Sequence, residues 1–292
     1  MRGHQQQIQV ARLDWFREMI MKPKKIASYQ RLRVVRFSRR IRHAWPALIQ
    51  QLKSLLRKTK RSWLKFRWDT RPHKALVSRE EASDVLGRIG VSVINLESRQ
   101  DRIAEFSHEM AQIEITDWRR VEAIDGRAEF PGINPFFSAS IGCTLSHIAA
   151  LDSADWLGKD AWMICEDDAE LLLNREDLSS VLSAFLENPS LDVLALYGRA
   201  RGASHHIGPG LRISMGLVGR VCYVVKPHMK TVLIKEFSAG VPLLLEGIRK
   251  GKGDQMWRKL QRSKYFFATP AMPAVRNRSG YSDIEGKVLG AR

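Results

Sequence analysis

Two hydrophobic periodicities alternate along residues 91–292. Short apolar runs predict buried strands, and apolar residues recurring every three or four positions predict helices between them. The runs are Val91–Leu96, Trp118–Ile124, Ala161–Cys165, Leu191–Tyr197, Leu217–Val225 and Tyr265–Ala268. After the first run, Ile103, Phe106, Met110 and Ile113 fall on one helical face. Ile141, Leu145, Ile148 and Leu151 do the same in a helix expected to open at Ile141 and run to about Trp156. Asn174 or Asp177 is placed to cap a helix through Leu186. Pro227 suits the first turn of another, which Gly240-Val-Pro242 breaks. Residues 127–140, with Pro131, Gly132, Asn134 and Pro135, are expected to be a surface loop, and so is the glycine-rich stretch 198–210. Strands alternating with helices give an α/β class.

The first part of the chain has a different pattern. Trp45, Leu48, Ile49, Leu52, Leu55, Leu56, Trp63 and Leu64 recur at helical spacing, with Lys53, Arg57, Lys58, Lys60 and Arg61 among the polar positions. Residues 69–86 have the look of a linker. The expected division is therefore a basic, helical N-terminal region and linker, 1–86, followed by the α/β domain, 87–292.

Charge follows this division. Residues 1–90 hold 23 Lys and Arg against 6 Asp and Glu, which accounts for the whole net charge of +17. Residues 91–292 hold 25 of each sign and are neutral. A basic helix carrying Trp and Leu suits an anionic membrane surface first, a solvated arm or a helical hairpin packed on the body next, and nucleic acid third. No apolar run approaches the roughly 18 residues needed to cross a bilayer. The basic N-terminus lacks the apolar core of a secretory signal. Cys143, Cys165 and Cys222 lie far apart with no metal-like spacing and no sign of a disulfide framework, so a reducing cytoplasm is the expected compartment.

The candidate chemistry gathers at strand ends, where open α/β sheets place their ligands. Glu166-Asp167-Asp168 closes an apolar run. Adjacent carboxylates repel, and a divalent cation relieves them; hard oxygen ligands suit Mg²⁺ or Mn²⁺ bridging to phosphates. Arg99 and Arg102 stand where the first strand gives way to its helix, suited to phosphate or ribose or to pairing with Glu97 or Asp101. His147 sits beside an apolar helix face. His205 or His206 could complete a metal site. Gly247–Gly253 is basic and glycine-rich but lacks the P-loop spacing, and Asp254 after it suits either a helix N-cap or a general base.

Taken in order, Val93-Ile-Asn-Leu96 with Arg99 and Asp101-Arg102, Ala123-Ile-Asp-Gly126, Ile141-Gly-Cys143 with Leu145-Ser-His147, and Glu166-Asp-Asp168 resemble glycosyltransferase family 25, which includes lipooligosaccharide galactosyltransferases. Asp254 and Ser282-Asp-Ile284 fit more weakly, and the resemblance covers about 91–284. It implies a GT-A-like, Rossmann-related fold that binds a nucleotide-sugar donor, usually UDP-galactose. It further implies metal-assisted, inverting transfer to a glycan or glycolipid. By position, Asn95, Arg99 and Arg102 would line the nucleotide pocket. Glu166 would lean toward the ribose and share the metal with Asp168, while Asp167 would support the loop or the sugar. Asp254 is the candidate base and His147 the second choice, expected mainly to shape the pocket. The stretch Asn134–Ser140 departs from the family, so acceptor identity is not carried over. With the basic arm, the reading is a peripheral enzyme at the inner face of the cell membrane. Two other classes compete: a nucleic-acid-associated, metal-dependent phosphoryl-transfer enzyme, and a non-catalytic membrane-surface protein.

Overall fold

The computed structural model describes residues 31–70, 85–208, 210–282, 284 and 286–290. The chain forms two compact units, Met1–Leu56 and Arg57–Arg292. The expected linker falls largely outside the described residues. Helix α1, Arg31–Asp69, bears out the helical spacing of the basic region. No helix among the described residues is long and apolar enough to cross a membrane.

Among the described residues, the second unit is built on fourteen strands. They are β1 Ile89–Asn95, β2 Arg119–Glu122, β3 Ala161–Glu166, β4 Ala169–Leu171, β5 Val193–Ala195, β6 Arg199–Ala200 and β7 Ser204–His206, then β8 Leu211–Ser214, β9 Leu217–Val218, β10 Cys222–Val225, β11 Phe267–Pro270, β12 Val275–Asn277, β13 Gly280–Ser282 and β14 Lys287–Leu289. Eight form one sheet in the order β2-β1-β3-β10-β5-β11-β8-β7. It is mixed: β2, β1 and β3 are parallel, and β10 runs antiparallel to both β3 and β5.

The helices of this unit that follow are α2 Gln100–Gln112, α3 Gly126–Glu129, α4 Pro135–Asp152, α5 Arg175–Leu186, α6 Lys230–Ser238, α7 Val241–Leu245, α8 Gly253–Met256 and α9 Arg258–Gln261. Alternate residues of each strand point to opposite faces. Val91, Val93, Met163, Cys165 and Val224 pack with Phe106 and Met110 of α2, Leu182 and Phe185 of α5, and Leu64 and Trp68 of α1. Ile94, Trp162, Ile164, Tyr223 and Val225 pack on the other face with Leu151 of α4, Phe237 of α6, and Trp257 and Leu260 near α9. Both sheet faces are covered, which is why the strand sequences read as continuous apolar runs.

Four expectations are corrected. The stretch 198–210 is not all loop, since it holds β6 and β7, which pair with β9 and β8. Residues 127–129 and 135–140 are helix rather than loop: Asp125 caps α3, Asn134 caps α4 by accepting from the Phe136 amide at 3.1 Å, and Pro135 fills the first turn of α4. Leu217–Val225 is two strands, because Gly219 adopts φ +96°, a left-handed conformation that interrupts the chain between β9 and β10. Asp254 is not an N-cap; it lies inside the first turn of α8, whose N-cap is Lys252.

Candidate active site

Sheet direction gathers the site. Asn95 ends β1 and Glu166 ends β3, two parallel neighbours, so their carboxyl ends coincide. The antiparallel β10 brings its start to the same edge, where the Glu166 amide donates to the Val221 carbonyl at 2.6 Å. Tyr197, just past β5, arrives there too, with its amide on the Cys222 carbonyl at 3.0 Å.

Two cavities open at this edge. The first, about 210 Å³, is lined by Ile94, Ser98, Arg102, Asp125, His147 and the three carboxylates, among others. The second, about 160 Å³, shares Arg102, Glu166 and Asp168 with it and adds Arg220, Lys252 and Asp254. Ser282 and Ile284 line both. Asp283 lies outside the described residues.

The three carboxylates hold different partners. Both oxygens of Asp167 are engaged: Arg102 donates to one at 2.9 Å and the Asn95 amide to the other at 2.8 Å. Arg102 also donates to the Tyr281 carbonyl. Glu166 meets His147 Nε2 at 3.0 Å. Asp168 accepts from Asn277 at 3.0 Å on one oxygen, while its buried Oδ1 has no hydrogen-bond partner among the described residues. Burial is the first cause of the raised carboxyl values of all three. At Asp168, the charges of Glu166 and Asp167 add to burial and push it up to about 7. At Glu166, Arg220 opposes the rise more than any other charge.

His147 is fully buried on α4, its Nδ1 lying 3.3 Å from the Tyr223 hydroxyl. Burial, and then Arg220, hold its value well below the ordinary 6.5. A neutral imidazole uses both nitrogens in these two bonds, donating from Nε2 and accepting at Nδ1. Asp254 accepts from the Gly219 amide at 3.3 Å and from Gln255 at 3.4 Å, at the rim of the second cavity. Arg99 turns instead to Asp101, at 2.9 Å, and neither it nor the buried Asn95, both expected to line the nucleotide pocket, lines either cavity. His205 and His206 sit on β7 at the sheet edge and also line neither.

The Gly-Cys-x-Leu-Ser-His stretch lies within α4. Gly142 brings the helix against the backbone of Ile124 and Gly126, which a Cβ would meet at 2.5 Å. Ser146 donates to the Gly142 carbonyl at 2.7 Å and accepts from the Ile124 amide at 2.8 Å. Ser146→Ala strands that amide, so urea denaturation should show a loss of about 1–3 kcal/mol. An unchanged midpoint would mean the 124–126 turn is held by packing alone.

Cys143, His147 and Glu166 present ligand atoms within 4.8 Å of one another, compact enough to hold a metal ion. Spacing does announce this set: residues four apart share a helix face, which places Cys143 beside His147. Arg220 already donates to the Cys143 sulfur at 3.4 Å, and burial pushes the thiol up to about 12. A hard cation fits Asp168 better, because its Oδ1 is the oxygen of the carboxylate cluster left buried and unbonded, and such cations take oxygen ligands. The expected separation of the cysteines also fails at one pair: Cys165 and Cys222 face each other across β3 and β10, sulfurs 2.9 Å apart.

No family model matches the chain. No curated protein matches it. Among solved structures, A197 from STIV is similar with a TM-score of 0.38 and 12% identity, over 69% of this chain and 93% of that one. Mannose-1-phosphate geranyltransferase from Thermus thermophilus follows at 0.37 and 9%, over 64% and 75%. Likenesses this distant carry no argument, and the functional reading rests on the site.

Proposed function

We propose that residues 87–292 form a GT-A-like glycosyltransferase domain. It moves a hexose, galactose by the motif resemblance, from a UDP-sugar to a glycan or glycolipid, with inversion. The observation that carries this reading is the buried carboxylate cluster at the end of β3, beside the end of β1, with Asp168, whose Oδ1 has no hydrogen-bond partner among the described residues, lining both cavities. Asp168 and Glu166 would hold Mn²⁺ or Mg²⁺, which neutralises charge developing on a departing diphosphate. Asn95 and Arg102 fix Asp167, so that its charge is spent on holding the loop. The ribose and base fit the first cavity, beside Ile94, Ser98 and Asp125. Across the carboxylates, Asp254 would take the proton of the acceptor hydroxyl, the role inversion requires.

The basic N-terminal region, 1–86, supplies attraction to an anionic membrane surface in this reading. Leu52, Leu56, Trp63 and Phe66 are exposed on α1 among lysines and arginines. That composition suits adsorption at the headgroup boundary on the inner face of a membrane.

UDP release from a panel of UDP-hexoses, with and without Mn²⁺, tests the proposal. Turnover should appear with the metal, and Glu166→Gln should lower it by about 10²-fold or more, the scale of one lost electrostatic group. Metal-independent turnover, or full activity in Glu166→Gln, would sink it.

A further inference from the structure

Arg220 is the least expected residue of the site. It follows Gly219 in the gap between β9 and β10 and is only 6% exposed. Its Nη2 reaches the Cys143 sulfur at 3.4 Å, a weak acceptor, and its guanidinium lies over the Phe237 ring at 4.8 Å. Its Nη1 is buried with no hydrogen-bond partner among the described residues. No salt bridge among those residues neutralises this charge, whereas Arg102 is spent on Asp167 at 2.9 Å. A buried guanidinium with unspent donors is costly unless something completes it.

The neighbouring chain makes room for it. A Cβ on Gly253 would collide with Nη1, so the glycine is what admits the guanidinium. Lys252, one residue earlier, lines the same cavity. Asp168 lines that cavity too, and its Oδ1, without a hydrogen-bond partner among the described residues, is the complementary orphan. A ligand completing both must bring an anion to Arg220 and a cation or donor to Asp168.

We propose that Arg220, supported by Lys252, is a phosphoryl-binding group of the second cavity. Guanidinium geometry matches phosphate oxygens, and charge-assisted bonds of this type are about twice as strong as neutral ones. Two sources offer that chemistry: the distal phosphate of a UDP donor, and a phosphate carried by the second substrate. The donor source rests on the glycosyl-transfer reading; the binding of phosphate does not.

Calorimetric titration of the full chain with UMP, UDP and inorganic phosphate decides it, with chelator present so that no metal contributes. Losing Arg220 should cost about tenfold or more in phosphate affinity, the scale of a hydrogen bond to a charged group. If Arg220→Met erases the preference for UDP over UMP, the donor is the source. If UDP binding is unchanged but inorganic phosphate no longer binds the UDP-saturated protein, the second substrate is the source. A folded Arg220→Met chain with wild-type affinities for all three overturns the proposal. Should that variant fail to fold, Gly253→Ala displaces the guanidinium and is read the same way. Wild type that binds phosphate but, with Mn²⁺ supplied in place of the chelator, binds neither UMP nor UDP would defeat the UDP-sugar reading, and Arg220→Met would still decide the phosphate site.

Discussion

Replacing Asp168 with asparagine should give a protein that is more stable than wild type at pH 8 and inactive in sugar transfer. The Asp168 carboxyl is pushed from 3.8 up to about 7 by burial and by Glu166 and Asp167. Between those values the folded chain keeps a proton that the unfolded chain has released, so stability falls as pH rises through this window. Asparagine has no proton to lose, and it can still accept from Asn277. The melting temperature of wild type should therefore drop relative to the variant from pH 4 to 8, and Mn²⁺ should restore wild type alone. UDP release should fall by at least about 10²-fold, as expected when one preorganised electrostatic group is removed. A variant less stable than wild type at pH 8 would mean that the carboxylate is already compensated. Stability traded for a charged site in this way is common where function needs an unfavourable arrangement.

The second large effect concerns stability alone. Trp257 is fully buried, edge-on to Tyr223 at 5.6 Å and to Phe267 at 5.4 Å. Its indole donates to the Leu217 carbonyl at 2.9 Å, which Gln261 also reaches at 3.0 Å. That carbonyl stays bonded without the tryptophan, so Trp257→Ala costs chiefly packing and cavity energy, about 3–5 kcal/mol by urea denaturation. Trp257→Phe should recover most of the loss. If both variants fell equally, the indole hydrogen bond would be the dominant interaction. Leu217 opens β9, and the Gly219–Val221 turn that follows sets both the Asp254 anchor and Arg220. Trp257→Ala should therefore loosen the site as well as the fold.

The strands under the site were plain in the sequence because their burial is two-sided: Val91–Asn95 and Ala161–Cys165 have almost no polar residues to obscure them. Helix α4 began earlier than expected because Asn134-Pro135 is equally good turn and helix-start chemistry, and periodicity among small residues such as Ser138, Ala139 and Ser140 is faint. At the site, Asn95, Arg102 and the carboxylates were legible because each borders a strand end. Arg99 had the same sequence credentials as Arg102, but its guanidinium pairs with Asp101 at 2.9 Å and lines neither cavity. Arg220 left no local trace. What defines it is the meeting of Cys143, Phe237 and Gly253, distant in sequence and joined only by the sheet topology.

Helix α1 bears on how the basic arm can be removed. Leu64 and Trp68 are 1% and 6% exposed and belong to the core, with Trp68 edge-on to Phe266 at 5.4 Å and the Arg67 guanidinium over that same ring at 4.6 Å. A chain shortened to begin at residue 87 loses a Leu and a Trp from its interior. Its failure on vesicles would report unfolding as readily as lost adhesion. A cut before Arg57 keeps those anchors, and it is that shortened protein whose partitioning onto anionic lipid separates the arm's surface role from its part in the core.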